Sequence, residues 1–434
     1  MHTLEQLTSG ALAGTATLKL SAQLTALPKE LFQLADTLEV LDLSGNCLTH
    51  LPDEMAVLKK LRILFLSNNQ FTEFPSVLGM CPALDIVGIK ANRIQHVPEN
   101  SIPVSLRWLI LTDNCIEALP ASIGQCKKLQ KVMLAGNCLS QLPDTMAECK
   151  NIELLRISAN NIAVLPQWLF YLPRLSWLAY ANNPCSILPD RPNSPVLPQL
   201  DWNSFVIQEQ LGEGASGIIY KAYQKKNQEP FAIKIFKGTV TSDGLPYDEM
   251  QACIAAGRHA HLVEVTGELI DHPQGNPGLV MKLITADYSN LGGPPNFITC
   301  TRDTFSNEQF FSSQAILCVA KGIASVAAQL HENGVMHGDL YAHNILINPV
   351  YHTLLGDFGA ATRYDHKTAG GAFIERIEVR AFGCLLDDLL VRINPIDTDA
   401  EKALKNIRNH CFEINILERP DFKRINEMLE SVRI

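Results

Sequence analysis

Asp339, Asn344 and Asp357 carry the most specific chemical signal in the chain. They lie in His337-Gly338-Asp339-Leu340-Tyr341-Ala342-His343-Asn344 and in Asp357-Phe358-Gly359. Asp339 and Asn344 are five residues apart, close enough for one tight loop to present both. Asp357 follows an apolar strand, Ile345-Leu346-Ile347, and a hairpin. An acid, an amide and a second acid that converge can take a proton from a hydroxyl and hold a divalent cation through oxygen. A second group lies upstream. Gly212-Glu213-Gly214-Ala215-Ser216-Gly217 is a G-x-G-x-x-G turn, and Lys234 follows in Phe231-Ala232-Ile233-Lys234. Glycines let backbone N–H groups approach phosphate oxygens with no Cβ in the way. The turn alone is weak, because dinucleotide-binding folds share it ahead of a helix. Here β-formers follow, Ile218-Ile219-Tyr220.

Glycine turn, Lys, D-x4-N and D-F-G, in that order, resemble the protein kinase family. The resemblance spans 202–434 and implies a two-lobed α+β domain that uses ATP and Mg²⁺. In that scheme Gly212, Gly214, Ala215, Ser216 and Gly217 cover the phosphates, and Lys234 neutralises two of them. A carboxylate must aim Lys234. Asp248 and Glu249 begin an expected helix, Tyr247 to Ala256, and the family spacing selects Glu249. Leu279-Val280-Met281-Lys282-Leu283 resembles the strand into the hinge, with Met281 as gatekeeper and the backbone of Lys282, Leu283 and Ile284 reading adenine. Asp339 would orient and deprotonate the acceptor hydroxyl; Asn344 and Asp357 would hold Mg²⁺. His337 reads as packed scaffold. Gln314 to Asn333 reads as an amphipathic helix. Ile377 to Gly383 resembles the start of a core helix of the family, with Glu378 in place of the usual Asp. Cys411 to Leu429 resembles the terminal helices, with Glu375 the nearest candidate partner for Arg419.

The chain departs from the family in four places. Gly338 replaces the Arg of H-R-D, so that position has no cation to gather a phosphorylated loop. Tyr341 matches neither the Ser/Thr-kinase D-L-K-P-E-N nor the tyrosine-kinase D-L-A-A-R-N, which leaves the acceptor class open. From Asp357 to Glu378 is only 21 residues, a short activation segment without a clear A-P-E. Asn394 to Ala400 leaves little room for the helix that often docks protein substrates.

The N-terminal half is a repeat array. Leu38, Leu61, Leu84, Leu106, Leu129, Ile152 and Leu175 open seven copies of L-x-x-L-x-L-x-x-N-x-L-x-x-L-P, at steps of 23, 23, 22, 23, 23 and 23. The pattern resembles the leucine-rich repeat, with a shortened copy from Leu18 to Pro28 as the entry cap. Alternate strand residues such as Leu41 and Leu43 should point inward. The column Asn46, Asn69, Asn92, Asn114, Asn137, Asn160 and Asn183 should satisfy backbone groups in the turns. Pro52, Pro75, Pro98, Pro120, Pro143, Pro166 and Pro189 end the extended stretches. The remaining strand residues, among them Val40, Ile63, Phe65, Ile86, Trp108, Ile110, Met133, Leu154 and Trp177, should form an apolar concave strip that docks a protein substrate or regulator.

The expected division is a repeat solenoid over 14–190, a Pro-rich linker over 191–201 and a kinase domain over 202–434. Its 434 residues carry a net charge of −9 with no Lys/Arg block, which argues against nucleic acid or anionic membrane as partner. No apolar run of about 18 residues is evident, so no membrane span is expected, and the N-terminus has no basic region ahead of its apolar stretch, which argues against a signal peptide. The 12 cysteines include no C-x-x-C pair; six sit at repeat positions, which reads as buried small apolar residues in a reduced cytoplasm. The leading expectation is a cytoplasmic, ATP-dependent protein kinase of the serine/threonine type, with repeats that recruit substrate or regulator. Two alternatives stand beside it. One is a scaffold whose kinase lobe binds partners without phosphotransfer. The other is a small-molecule phosphotransferase, against which Gly359 and the fused repeats argue.

Overall fold

The computed structural model describes residues 2–186, 197–238, 240–241, 243–394 and 399–433. The chain folds as two compact units. The first comprises Met1–Arg174 with Asn183–Cys185, the second Leu175–Asn182 with Ser186–Ile434. Most of the expected linker, Pro189, and the centre of the short segment from Asn394 to Ala400 lie outside the described residues.

In the first unit the strands Thr17–Lys19, Val40–Asp42, Ile63–Phe65, Ile86–Gly88, Trp108–Ile110, Lys131–Met133 and Leu154–Arg156 pair in parallel, in chain order. Each is three residues long, and its central side chain, Leu41, Leu64 or Leu109 for example, is fully buried. The return path is a short 3₁₀ helix such as Asp53–Val57 or Asp144–Glu148, except after Ile86–Gly88, where turns and bends replace it. Pro28, Pro52, Pro75, Pro120, Pro143 and Pro166 each stand at the N-cap of one, with φ between −63° and −75°. The pyrrolidine ring imposes that φ and gives up an N–H the helix start would leave unsatisfied.

The asparagine column works as its position suggests. Asn69 Oδ1 accepts from Leu48 N at 2.9 Å, and its Nδ2 donates to Leu43 O and Leu66 O at 3.0 Å. Asn46, Asn114, Asn137, Asn160 and Asn183 repeat the bridge between neighbouring coils. Each amide thus meets backbone groups that the turns would otherwise bury unpaired.

Two expectations for the repeats need correction. Among the repeat cysteines, Cys81, Cys126 and Cys149 are buried, but Cys115 and Cys138 are exposed and Cys47 is half-buried. The residue after the column Asn points outward because the Asn itself takes the inward position. None of the 12 cysteines is in a disulfide. The concave residues do not form one open strip either. Phe65, Trp108 and Ile110 are half-buried, whereas Ile86, Met133, Leu154 and Trp177 are 0 %, 8 %, 3 % and 1 % exposed. On strands about 4.8 Å apart, neighbours on one face shield each other. Phe65 and Ile110 lean over Gly88 from either side, and Lys131 Nζ sits 4.2 Å from the centre of the Trp108 ring. Trp177, on the strand Trp177–Ala179, belongs to the second unit, where its ring is covered.

The second unit has a six-stranded sheet in the order Phe205–Glu213, Gly217–Gln224, Pro230–Phe236, Gly278–Lys282, Val265–Ile270, Gln199–Asp201. All neighbours are antiparallel except the last, a strand from the end of the expected linker that runs parallel to Val265–Ile270. The helix Pro246–Ala256 accompanies this sheet. The rest is helical: Ser313–Glu332, Ala369–Leu390, Asp399–Cys411 and Phe422–Glu430. Two short antiparallel pairings flank the chemical loop. Ile345–Ile347 pairs with Thr353–Leu355, and Val335–Met336 pairs with Thr362–Arg363. The helix Ser313–Glu332 is long and apolar enough, by length and composition, to cross a membrane, but 61 % of its apolar window is buried inside the protein. It packs against Ala369–Leu390 and Phe422–Glu430.

The helix expected to start near Ile377 begins eight residues earlier. Thr368 caps it, its Oγ1 accepting from Gly371 N at 3.1 Å. The short activation segment therefore runs from Asp357 through one two-residue strand directly into this helix. Arg419 is buried and donates to the carbonyls of Glu413 and Arg376 at 2.9 and 3.1 Å, while Glu375 Oε1 accepts from Phe422 N.

Candidate active site

A cleft of about 500 Å³ opens on the second unit. Its walls include Gly214, Ala215, Ser216, Gly217, Lys234, Glu249, Met281, Lys282, Leu283, Ile284, Asn344 and Asp357. Gly212 lies just outside it, in the strand that enters the turn. The turn is closed by Gly214 N donating to Gly217 O at 2.9 Å, and Lys237 Nζ bridges Glu213 and Gly214 O. Gly217 is needed on steric grounds: a Cβ there would come within 2.5 Å of Ile235 O on the paired strand.

Lys234 comes from the middle of Pro230–Phe236 and Glu249 from the first turns of Pro246–Ala256. The two form a buried ion pair. Burial would push the Lys234 ammonium down, but Glu249, with Asp357 nearby, outweighs it and holds the lysine above its ordinary value. Asp248, the alternative at the sequence level, is pushed up to about 6 by burial.

Asp339 and Asn344 are joined directly. Asn344 Nδ2 donates to Asp339 O and to Asp339 Oδ2, both at 2.9 Å. The amide N–H groups of Asn344 are thereby spent, and its carbonyl oxygen is not used by those bonds. Asp357 takes a left-handed backbone, φ 55°, and accepts from Gly359 N at 3.2 Å. That turn presents the carboxylate to the cleft, while Phe358 is buried against the His337 ring at 4.9 Å. His337 Nε2 lies 2.9 Å from Gly356 O, so this histidine ties the loop to the strand end before Asp357.

The loop from His337 to Asn344 is held from two buried carboxylates. Glu378 accepts from His337 N at 3.0 Å and Gly338 N at 2.6 Å, and His331 Nε2 stands 2.9 Å away. Burial alone would raise the Glu378 pKa; His331, His337 and the Gly338 N–H bring it below the usual carboxylate range. Asp303 accepts from Ala342 N at 2.5 Å and pairs with His343 Nδ1 at 2.6 Å. Burial pulls the His343 pKa down, yet Asp303, with Asp339 and Asp357, carries it above the ordinary imidazole value. No local pattern marks Asp303 in the sequence. It lies 36 residues before Asp339, and its role exists only once the fold brings it there.

The residues at 338 and 341, which set this chain apart from the family pattern, face the strand Trp177–Ala179. Gly338 has φ 74°, and a Cβ on it would stand 2.6 Å from both Leu178 O and Ala360 O. Tyr341 stacks on Trp177 with ring centres 4.3 Å apart and planes inclined by 8°. Trp177 Nε1 donates to Leu340 O at 3.1 Å, and Tyr180 N to Thr362 Oγ1 at 3.2 Å.

The cleft suits a nucleotide and one divalent cation. Among the described residues no cluster of three or more His, Cys, Asp or Glu side chains could hold a metal alone. Asn344 and Asp357 supply two oxygen donors on one wall. A hard cation held that way completes its shell with phosphate oxygens and water, as Mg²⁺ does.

Parts of the chain are similar to known proteins. Residues 205–380 match the protein kinase domain family, and residues 17–71 match the leucine rich repeat family. The chain is 28 % identical over 166 residues to calcium/calmodulin-dependent protein kinase type IV of Homo sapiens, covering 38 % of this chain and 32 % of that one. It is 25 % identical over 163 residues to the serine/threonine-protein kinase PITSLRE of Drosophila melanogaster, covering 37 % and 16 %. Over 253 residues it is 26 % identical to cyclin-dependent kinase 20 of Danio rerio, covering 51 % and 70 %. The chain spans less than a third of the length of the first two relatives. The two matches give the chain leucine-rich repeats over 17–71 and a protein kinase domain over 205–380, a fusion of the two.

Proposed function

We propose that the protein is an ATP- and Mg²⁺-dependent protein kinase that phosphorylates serine or threonine, with its repeats recruiting substrate or regulator. The observation that carries this reading is the Lys234–Glu249 ion pair, set beside Asp357 on the wall of the cleft that Asn344 also lines. Such a pair in a cleft is a phosphate-binding arrangement, because a lysine held charged and aimed gives a fixed cation for phosphate oxygens.

Within this reading each residue has a defined task. The backbone of Gly214 to Gly217 covers the phosphates, and Lys234 binds them while Glu249 keeps it aimed. The backbone from Lys282 to Ile284, behind Met281, receives the base. Asn344 and Asp357 would hold Mg²⁺, which offsets the negative charge that grows on the phosphate oxygens. Asp339 orients the acceptor hydroxyl and takes its proton, and Asn344 fixes the Asp339 carboxylate by donating to Oδ2. Glu378 and Asp303 hold the loop backbone so that Asp339 needs little reorganisation. The assignment to serine and threonine rests on relatives whose names state that specificity, the PITSLRE kinase among them. The cytoplasm is the compartment that cysteines outside disulfides fit.

The test is direct. Purified protein is incubated with γ-labelled ATP, Mg²⁺ and protein acceptors, beside Asp339→Ala and Lys234→Ala. Loss of the base should lower turnover by roughly 10²–10⁴-fold, and loss of the lysine by roughly 10²–10³-fold. Absence of transfer to any protein, itself included, would replace this reading with the non-catalytic scaffold.

A further inference from the structure

We propose that the strand of the last repeat, Trp177–Ala179 with Tyr180 after it, is a positioning element of the catalytic loop, acting chiefly through the stack of Trp177 on Tyr341. The proposal rests on the protein kinase reading above and adds to it a residue set outside the family's kinase region.

Asp339 has neighbours on both sides that touch this strand. On one side Gly338 lies so close to Leu178 O that only a residue without a Cβ admits the strand at that distance. On the other, Leu340 O accepts the Trp177 indole N–H at 3.1 Å, and Tyr341 stacks on the indole ring. Trp177 is 1 % and Tyr341 4 % exposed, so the contact is dry. Tyr180 N extends the grip to Thr362, on the strand that follows Asp357-Phe358-Gly359. The two carboxylates, Glu378 and Asp303, reach the loop through N–H groups at 337, 338 and 342. Neither of them bonds to the peptide carbonyl next to Asp339, at Leu340. The repeat strand supplies that restraint.

The two departures at 338 and 341 then have one cause. Glycine admits the strand, and an aromatic ring at 341 gives the indole a face to stack on. Parallel rings at this spacing favour a fixed offset over a sliding contact. A catalytic group displaced by about 1 Å can lose roughly 10²-fold in rate, so removing the stack should act on turnover more than on nucleotide binding.

The experiment uses the full chain. Trp177→Ala and Trp177→Phe are compared with wild type for kcat and for KM toward ATP on one protein acceptor. Amide hydrogen exchange across 337–341 is followed in parallel. The expected result for Trp177→Ala is a fall in kcat of roughly 10–100-fold, KM for ATP within about twofold, and faster exchange at 337–341. Trp177→Phe keeps a ring on Tyr341 but loses the N–H, and should recover most of kcat. Unchanged kcat with an active wild type overturns the proposal alone. So does a rise in kcat, which would make the strand a cover over the acceptor's approach. A parallel loss of ATP affinity and kcat with unfolding in both variants also overturns it, reducing Trp177 to general packing. A wild type that binds ATP and Mg²⁺ without transferring phosphate overturns the kinase reading and this proposal together.

Discussion

His343 shows at residue scale how a single buried partner sets a charge in the catalytic loop. Its ring faces Asp303 at 2.6 Å, with Asp339 and Asp357 near enough to add to the field. Burial disfavours the imidazolium, and the three carboxylates more than offset this, so the folded-state pKa is raised. The sign follows from linkage. A group with a raised folded pKa contributes stability that is fully present below its ordinary value of about 6.5. That contribution is lost as pH rises through the folded value. Wild type should therefore lose melting temperature from about pH 6 upward more steeply than His343→Asn, when both are melted across a pH series; parallel profiles would remove the ion pair from the account. Nothing in the sequence around His343 sets its charge, because Asp303, which decides it, lies 40 residues away in the chain. Lys234, Asp339, Asn344 and Asp357, by contrast, could be picked out from short motifs, since each motif encodes local geometry around one chemical group. Glu249 was separated from Asp248 only by spacing. The fold distinguishes them physically, since Glu249 meets Lys234 and Asp248 does not form that ion pair.

At the scale of elements, the repeat coil is the clearest case of sequence reaching structure. Each step of about 23 residues places a three-residue strand and an asparagine bridge in register with the next, and all but the coil after Ile86–Gly88 add a proline-capped 3₁₀ turn. Asn137 sits in the middle of the array, accepting from Ile116 N and donating to Leu111 O and Leu134 O. Asn137→Ala would leave three buried backbone groups without that partner. An unsatisfied buried group costs about 1–3 kcal/mol, so urea unfolding of the variant should show a loss of at least about 2 kcal/mol. A loss under about 0.5 kcal/mol would mean that the column is ornamental to stability. The strand boundaries and the helix Pro246–Ala256 agree with the sequence reading to within a residue or two, because alternation and a proline at the first turn are local signals. The early start of Ala369–Leu390 was less legible. Its Gly370-Gly371 pair disfavours helix intrinsically, and the Thr368 cap together with packing of the following turns overrides that preference.

For the whole molecule, the consequence of the fold is that chain order and compact units do not coincide. Residues Leu175–Asn182 complete the repeat pattern in sequence but belong to the second unit. Deleting everything before 191 would therefore take Trp177 from the catalytic loop as well as remove the repeats, so substitution tests docking more cleanly than truncation. Phe65 and Ile110 remain half-exposed on the concave face. If the proposed docking of a protein substrate occurs there, replacing both by Glu should lower phosphorylation of that substrate by at least about tenfold, the scale of losing one or two apolar anchors, while a generic acceptor peptide is phosphorylated as before. Equal rates on the natural substrate would end the docking role of that face. The sequence by itself determined the repeat period, the buried Leu and Asn columns, the order of the kinase motifs and the identity of the groups that line the cleft. Each of these is written in local spacing or in the chemistry of one side chain. Only the tertiary structure decided which concave residues stay open, that Asp303 and Glu378 hold the catalytic loop, and why Gly338 and Tyr341 stand where they do. Those answers depend on contacts between residues tens to more than a hundred positions apart, as between Trp177 and Tyr341. No local pattern encodes which distant surface will arrive against a given loop.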